Sequence, residues 1–268
     1  MTDPGPPRHT LEGMTSEQSI ETTAAGLLAA ANEALIEAGF RTGRFEEAER
    51  LARAAHEQAG REDDGAARAE ASNVLGYVLH YRCITALMNG GQPDPADVAA
   101  EQRQFAEALA AYEALGNEAG IARASFGLGL FEQVLRQDWD AAMPHYRRSE
   151  ALIPALEAAG DLYTRSEIHR HLGFYHLVAD KQPAIAVQHL QFSLDLCEQQ
   201  GEPRRLPSGL VALGWAELEN GNPRRAVVLL RRAVDLARAE GLTEARIADA
   251  EQELAAAEAA LAESDAGR

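Results

Sequence analysis

The sequence predicts an all-α fold assembled from a repeated pair of helices, and three observations carry that expectation. A Leu-Gly dipeptide recurs at Leu75-Gly76, Leu128-Gly129, Leu172-Gly173 and Leu213-Gly214, each time inside an apolar stretch of helical spacing. Aligning Leu128 on Leu172 carries Ala142 onto Ala186, His145 onto His189, Ser149 onto Ser193 and Leu152 onto Leu196, at a constant offset of 44 without a gap. Composition agrees, since 46% hydrophobic residues with 6% aromatics, rich in Ala, Leu, Glu and Arg, favour helix over sheet. No run alternates apolar and polar residues for long enough to suggest a strand.

Taken in order, residues 1–18 are rich in Pro and Gly and are expected to be disordered. Residues 19–264 are expected to form one helical repeat domain. Its first pair is AAGLLAAANEALIEAGF followed by FEEAERLARAAHEQA, turning at Arg41-Thr42-Gly43. The interval from Leu75 to Leu128 is longer than the others, and the NGGQPDPAD segment from Asn89 to Asp97 is expected to absorb the excess as a loop. Two central turns, RQDWD and ADKQP, each carry one extra residue. The clearest unit runs from Pro207 to Gly241. Its first helix stops at Asn220-Gly221, where Gly supplies a left-handed residue. Pro223 opens the next helix, where its missing N–H costs little. Ala226, Leu230 and Ala233 then share one face. The tail after Gly241 reads as one amphipathic helix over 243–263 with an acidic outer face, suited to capping a repeat array.

These units resemble the tetratricopeptide repeat family, whose signature includes Leu-Gly in the first helix and a small residue early in the second. The resemblance covers roughly residues 20 to 241, and the repeats are degenerate. The position where the family often has Trp holds Ser72, Ser125, His169 and Leu210, and its Tyr position holds Leu79, Glu132, His176 and Glu217. The resemblance implies a right-handed superhelical solenoid of about five antiparallel helix pairs plus the C-terminal capping helix. It also implies that the residue after each Leu-Gly (Tyr77, Leu130, Phe174 and Trp215) projects into a concave groove. Asn73, His80, Tyr81, Arg123, Phe126, Gln133, Glu167, Arg170 and Val211 would stand beside them on the same faces. His171, four residues after Glu167, completes the candidate set.

Aromatic rungs with interspersed polar heads suit a binding surface for peptides or small molecules. The leading expectation is a non-enzymatic binding or scaffold module that takes a peptide or partner-protein segment in the groove. Arg123 and Arg170 would clamp an acidic group bidentately. Lysine is missing from the sites where some family members grip a chaperone carboxylate, which disfavours that role. The alternative is a small-molecule-binding protein, or an enzyme with an acid–base pocket formed by Tyr77, His80, Tyr81, Phe126, Glu167, Arg170 and Phe174. In that case the terminal helices and the Asn89–Asp97 loop would cover one end. A third arrangement is a homo-oligomer joined through Trp215 and the C-terminal helix. Nothing resembles a nucleophile elbow, a phosphate loop or a dinucleotide fingerprint, so catalysis is the lesser expectation and no catalytic residue is assigned.

A formal charge of −17 repels phosphate backbones and argues against nucleic acid as a partner. An apolar run of membrane-spanning length and a basic-then-apolar leader are both missing, so a cytoplasmic protein without membrane contact is expected. Cys83 and Cys197 form no CxxC pairing and are expected to be buried, reduced thiols. In HRHLGFYHLV, His169 and His176 share a face and read as packing, as do the repeat-equivalent His145 and His189. Glu167 and His171 have metal-ligand spacing but no second pair to complete a site, so neither metal nor cofactor is expected.

Overall fold

The computed structural model describes residues 23–266, so the segment 1–18 expected to be disordered lies outside the described residues. Among them are twelve α-helices and no strand. In chain order these are α1 (Ala24–Glu37), α2 (Glu46–Arg61), α3 (Gly65–Met88), α4 (Pro95–Leu115), α5 (Glu118–Leu130), α6 (Trp139–Ala151), α7 (Ile153–Ala158), α8 (Leu162–Phe174), α9 (Pro183–Gln200), α10 (Leu206–Glu219), α11 (Pro223–Ala239) and α12 (Glu244–Ala266). No helix among the described residues is long and apolar enough to cross a membrane.

Local chemistry sets the starts. Thr23, Asp64, Asp94, Asn117, Asp138 and Asp161 each place a side-chain oxygen on a first-turn amide, satisfying a donor that the helix itself cannot. Helices α9, α10 and α11 have Pro in the first turn in place of such a cap. Two expected turns are present, with Gly43 at φ 67° and Gly221 at φ 80° reversing the chain in the left-handed region. The second helix of the third pair is split into α6 and α7 at Leu152 because Pro154 offers no N–H to the turn before it.

The extra residue of the RQDWD and ADKQP turns is absorbed inside the preceding helix. One π turn over Phe131–Leu135 and another over Tyr175–Ala179 end α5 and α8. In each, a five-residue backbone bond closes the turn, from Arg136 to Phe131 (3.3 Å) and from Asp180 to Tyr175 (3.0 Å). A third π turn, Ala38–Thr42, ends α1. The long Leu75–Leu128 interval is a correction to expectation. The residues between Met88 and Pro95 form a short link, and most of the excess extends α3 and α4.

Consecutive helices pack in series: α1 on α2, α2 on α3, and so on to α11 on α12. The recurring glycine makes that packing close. A Cβ on Gly76 would sit 2.6 Å from the Phe105 ring, on Gly129 2.5 Å from Tyr146, on Gly173 2.6 Å from Leu190 and on Gly214 2.5 Å from Leu230. Each Leu-Gly glycine thus receives the bulky central side chain of its partner helix. Phe105, Tyr146, Leu190 and Leu230 are all fully buried, so the groove in one helix and the knob on the next pack as a unit. One apolar core runs from Leu28 to Leu172 and a second from Leu177 to Ala250.

A third cluster joins the two ends of the described chain. Phe40 packs with Ala237 and Leu242, flanked by Ile36, Tyr81 and Ile247. The π turn after α1 leaves carbonyls without helical partners, and α12 begins with amides in the same condition. They satisfy each other: Thr243 donates its N–H to Phe40 O (2.9 Å). Arg246 adds an Nε–H bond to Gly39 O (2.8 Å), and Arg41 donates to Glu240 O (2.7 Å). Arg204, in the link before α10, pairs with Glu33 (2.9 Å) and Glu37 (3.2 Å) of α1. The first and last helices are thereby tied together.

Candidate functional site

The first helices of the pairs, with α12 and the first π turn, surround a cavity of about 240 Å³. Tyr77, His80 and Tyr81 come from α3, Leu130 and Gln133 from α5 and its π turn, and Glu167, Arg170, His171 and Phe174 from α8. The cavity therefore brings together nine residues of the candidate set and three of its four aromatic or apolar rungs. Asn73 and Arg123 lie in an adjoining chamber that shares Tyr77, Tyr81 and Tyr163 as a wall. Phe126 is fully buried against Tyr146 and His171. Trp215 packs on Phe174 with ring centroids 6.2 Å apart, and Val211 packs against the apolar core that runs from Leu177 to Ala250. Those three residues line neither chamber.

The Asn89–Asp97 segment does not cover this cavity. Its Gln92, Pro93 and Pro95 line a separate groove with Leu87 and Phe131. The cover comes from residues for which sequence patterning gives no signal: Phe40, Arg205 and Arg246. Their approach depends on the junction of the chain ends, a contact with no local signature. Tyr163, whose hydroxyl lies 3.3 Å from that of Tyr81, and Cys197 also belong to the lining.

The charges in the cavity are disposed unequally. Arg170 is held by Glu167 through a 3.0 Å bond from Nε, and Arg123 bridges Glu70 and Asp161 at 3.2 Å each. The two arginines expected to clamp a ligand are therefore paired within the protein. Arg205 and Arg246 have no carboxylate within 4.0 Å among the described residues. Arg205 instead stacks over the Tyr163 ring, 3.8 Å from its centroid, and Arg246 over Phe40 at 4.5 Å. Burial pushes the Arg246 guanidinium below its ordinary range, and nearby Tyr81 and Asp249 offset only part of that cost.

The histidines divide between two environments. His80 Nδ1 lies 2.8 Å from Glu101 Oε1, with both side chains buried, and the His80 ring lines the cavity. Glu101 lies on α4 and was missed because a lone acidic residue in a helix carries no pattern. His171 donates to Gln133 Oε1 (2.6 Å), and burial holds its pKa well below the ordinary imidazole value, helped by Arg170 and His80. His169, His176 and His189 instead meet on the α8–α9 side. The Nδ1 atoms of His169 and His189 are 3.1 Å apart, and His176 stacks on His189. No group of three His, Cys, Asp or Glu among the described residues is placed to hold a metal ion. Cys83 and Cys197 are both buried, free thiols.

The chain matches no protein-family model and no curated protein.

Proposed function

We propose that this chain is a non-enzymatic helical-repeat binding protein of the tetratricopeptide type. Its pairs wind as a right-handed superhelix and enclose one small organic ligand in the cavity described above. The observation that carries this reading is the seam at Phe40, where Thr243 and Arg246 of the last helix bond to the end of the first. An open groove for an extended peptide needs the two ends apart. A cavity of about 240 Å³ is somewhat larger than the ~150 Å³ that accommodates a benzene ring, which suits a compact ligand better than a peptide segment. The buried, unpaired cysteines fit a cytoplasmic setting.

A second reading, acid–base catalysis, draws on the His80–Glu101 pair. A buried carboxylate that fixes one ring nitrogen leaves the other available as a base. The seam at Phe40 favours binding as the primary function.

Native mass spectrometry of protein purified from its own host, followed by denaturing analysis of what it releases, tests the proposal. A small organic molecule bound at one per chain is expected. A co-purifying polypeptide in its place would restore the open-groove reading, and a released product of altered structure would favour catalysis.

A further inference from the structure

The cavity carries an excess of positive charge in a strongly negative protein. Three guanidiniums line it, those of Arg170, Arg205 and Arg246, against one carboxylate, Glu167. That carboxylate is taken by Arg170. Arg205 and Arg246 flank the same Phe40 ring, at 5.8 Å and 4.5 Å from its centroid, so two like charges without carboxylates are held close together. Arg246 has part of its donor set occupied by Gly39 O and Ser208 Oγ. Arg205 has a buried Nε with no partner within the protein. Helix α10 starts at the same wall, with Ser208 and Gly209 of its first turn in the lining and no side-chain cap. Its dipole adds further positive potential there.

With 42 acidic residues in the chain, a structural role for these two arginines alone would be met by placing one carboxylate beside them. Aromatic rings do not replace that charge. They leave a planar, donor-rich pair facing the cavity, an arrangement suited to recognising an oxyanion bidentately. Part of the remaining wall, formed by Phe40, Tyr77, Leu130 and Phe174, is apolar or aromatic, and His80, Gln133 and His171 add polar groups.

We infer that the ligand is an organic oxyanion, its carboxylate or phosphate monoester held by Arg205 and Arg246 and its single-ring-sized apolar body seated against Phe40 and Phe174. The inference rests on the enclosed-cavity reading and adds the ligand's charge class.

The test is an NMR titration of the full chain with four probes of similar size: phenylacetate, phenyl phosphate, phenylacetamide and 2-phenylethylamine. At least one anion is expected to bind saturably, and about tenfold or more tighter than the amide or the amine, as loss of hydrogen bonds to a charged group implies. Which anion binds better identifies a carboxylate or a phosphate. In Arg205→Gln the affinity for that anion is expected to fall about tenfold, and Arg205→Lys should retain part of it. Folding of each variant is read from the same spectra. Equal binding of amide and anion, or unchanged affinity in Arg205→Gln, overturns the inference and leaves the enclosed cavity standing. Failure of all four probes to bind at millimolar concentration overturns both.

Discussion

Arg246 donates its Nε–H to the carbonyl of Gly39 at 2.8 Å, although 207 positions separate the two residues. Beside it the Thr243 amide reaches Phe40 O, and Phe40 itself is 4% exposed. The seam thus combines apolar burial with reciprocal capping of two helix ends. It also fixes the cover of the cavity, because Phe40, Arg205 and Arg246 converge there.

Replacing Phe40 by Ala removes the ring on which Arg205 and Arg246 both rest. A loss of about 3 kcal/mol is expected from burial and cavity terms together, read from urea unfolding. A change within about 0.5 kcal/mol, typical of surface substitutions, would show that the ends do not pack as described.

The recurring glycines make a paired prediction. Gly129→Ala drives a Cβ to 2.5 Å from the fully buried Tyr146 ring. Overpacking of that kind costs about 1–3 kcal/mol. Gly60→Ala, within α2 and with nothing inside 4 Å, should gain about 0.5–1 kcal/mol from helix propensity. Opposite signs in thermal unfolding are expected; the same sign in both would remove the packing explanation for the Leu-Gly repeat.

The histidine cluster gives a pH dependence. Burial, with His189 and Arg165 nearby, lowers the His169 pKa to about 4, and burial followed by His176 lowers that of His189. The unfolded chain binds these protons near pH 6.5, the folded chain only at lower pH. Stability is therefore complete above pH 6.5 and declines as pH falls toward 4. The melting temperature should drop between pH 7 and 5, and the drop should shrink in His169→Gln. An unchanged slope in that variant would assign the decline elsewhere.

The thiols report on the cavity. Burial, with Glu101 and Asp97, pushes Cys83 up to about 12, and burial also raises Cys197. Both should react with a disulfide reagent at pH 8 at least about tenfold more slowly than an exposed thiol. Phe40→Ala should accelerate Cys197, which lines the cavity, and leave Cys83 unchanged. Equal acceleration of both would indicate global opening.

Much of the local architecture was legible because helix pairs are written in local signals. Gly43 and Gly221 mark stops, Pro223 marks a start, and the glycine after each leucine marks where a partner side chain enters. The resemblance implied that Tyr77, His80, Glu167 and Arg170 share one inner surface, and all four line the same cavity. Arg205 and Arg246 were not legible. One sits in an irregular link and the other on a helix with the composition of a solvated cap, and both matter because of a contact between chain ends. The length of α3 was misjudged because the Pro- and Gly-rich segment after it drew the excess residues to the loop.

Hydrogen exchange at the Thr243 amide tests closure of the chain ends most directly. Thr243 precedes α12, so its N–H has no partner within that helix, and Phe40 O at 2.9 Å is its acceptor. Slow exchange, comparable with amides inside α3 and α8, is the result expected of a closed array. Exchange at the rate of an unprotected amide would mean that the ends part in solution, and the enclosed cavity with its ligand would fall with them.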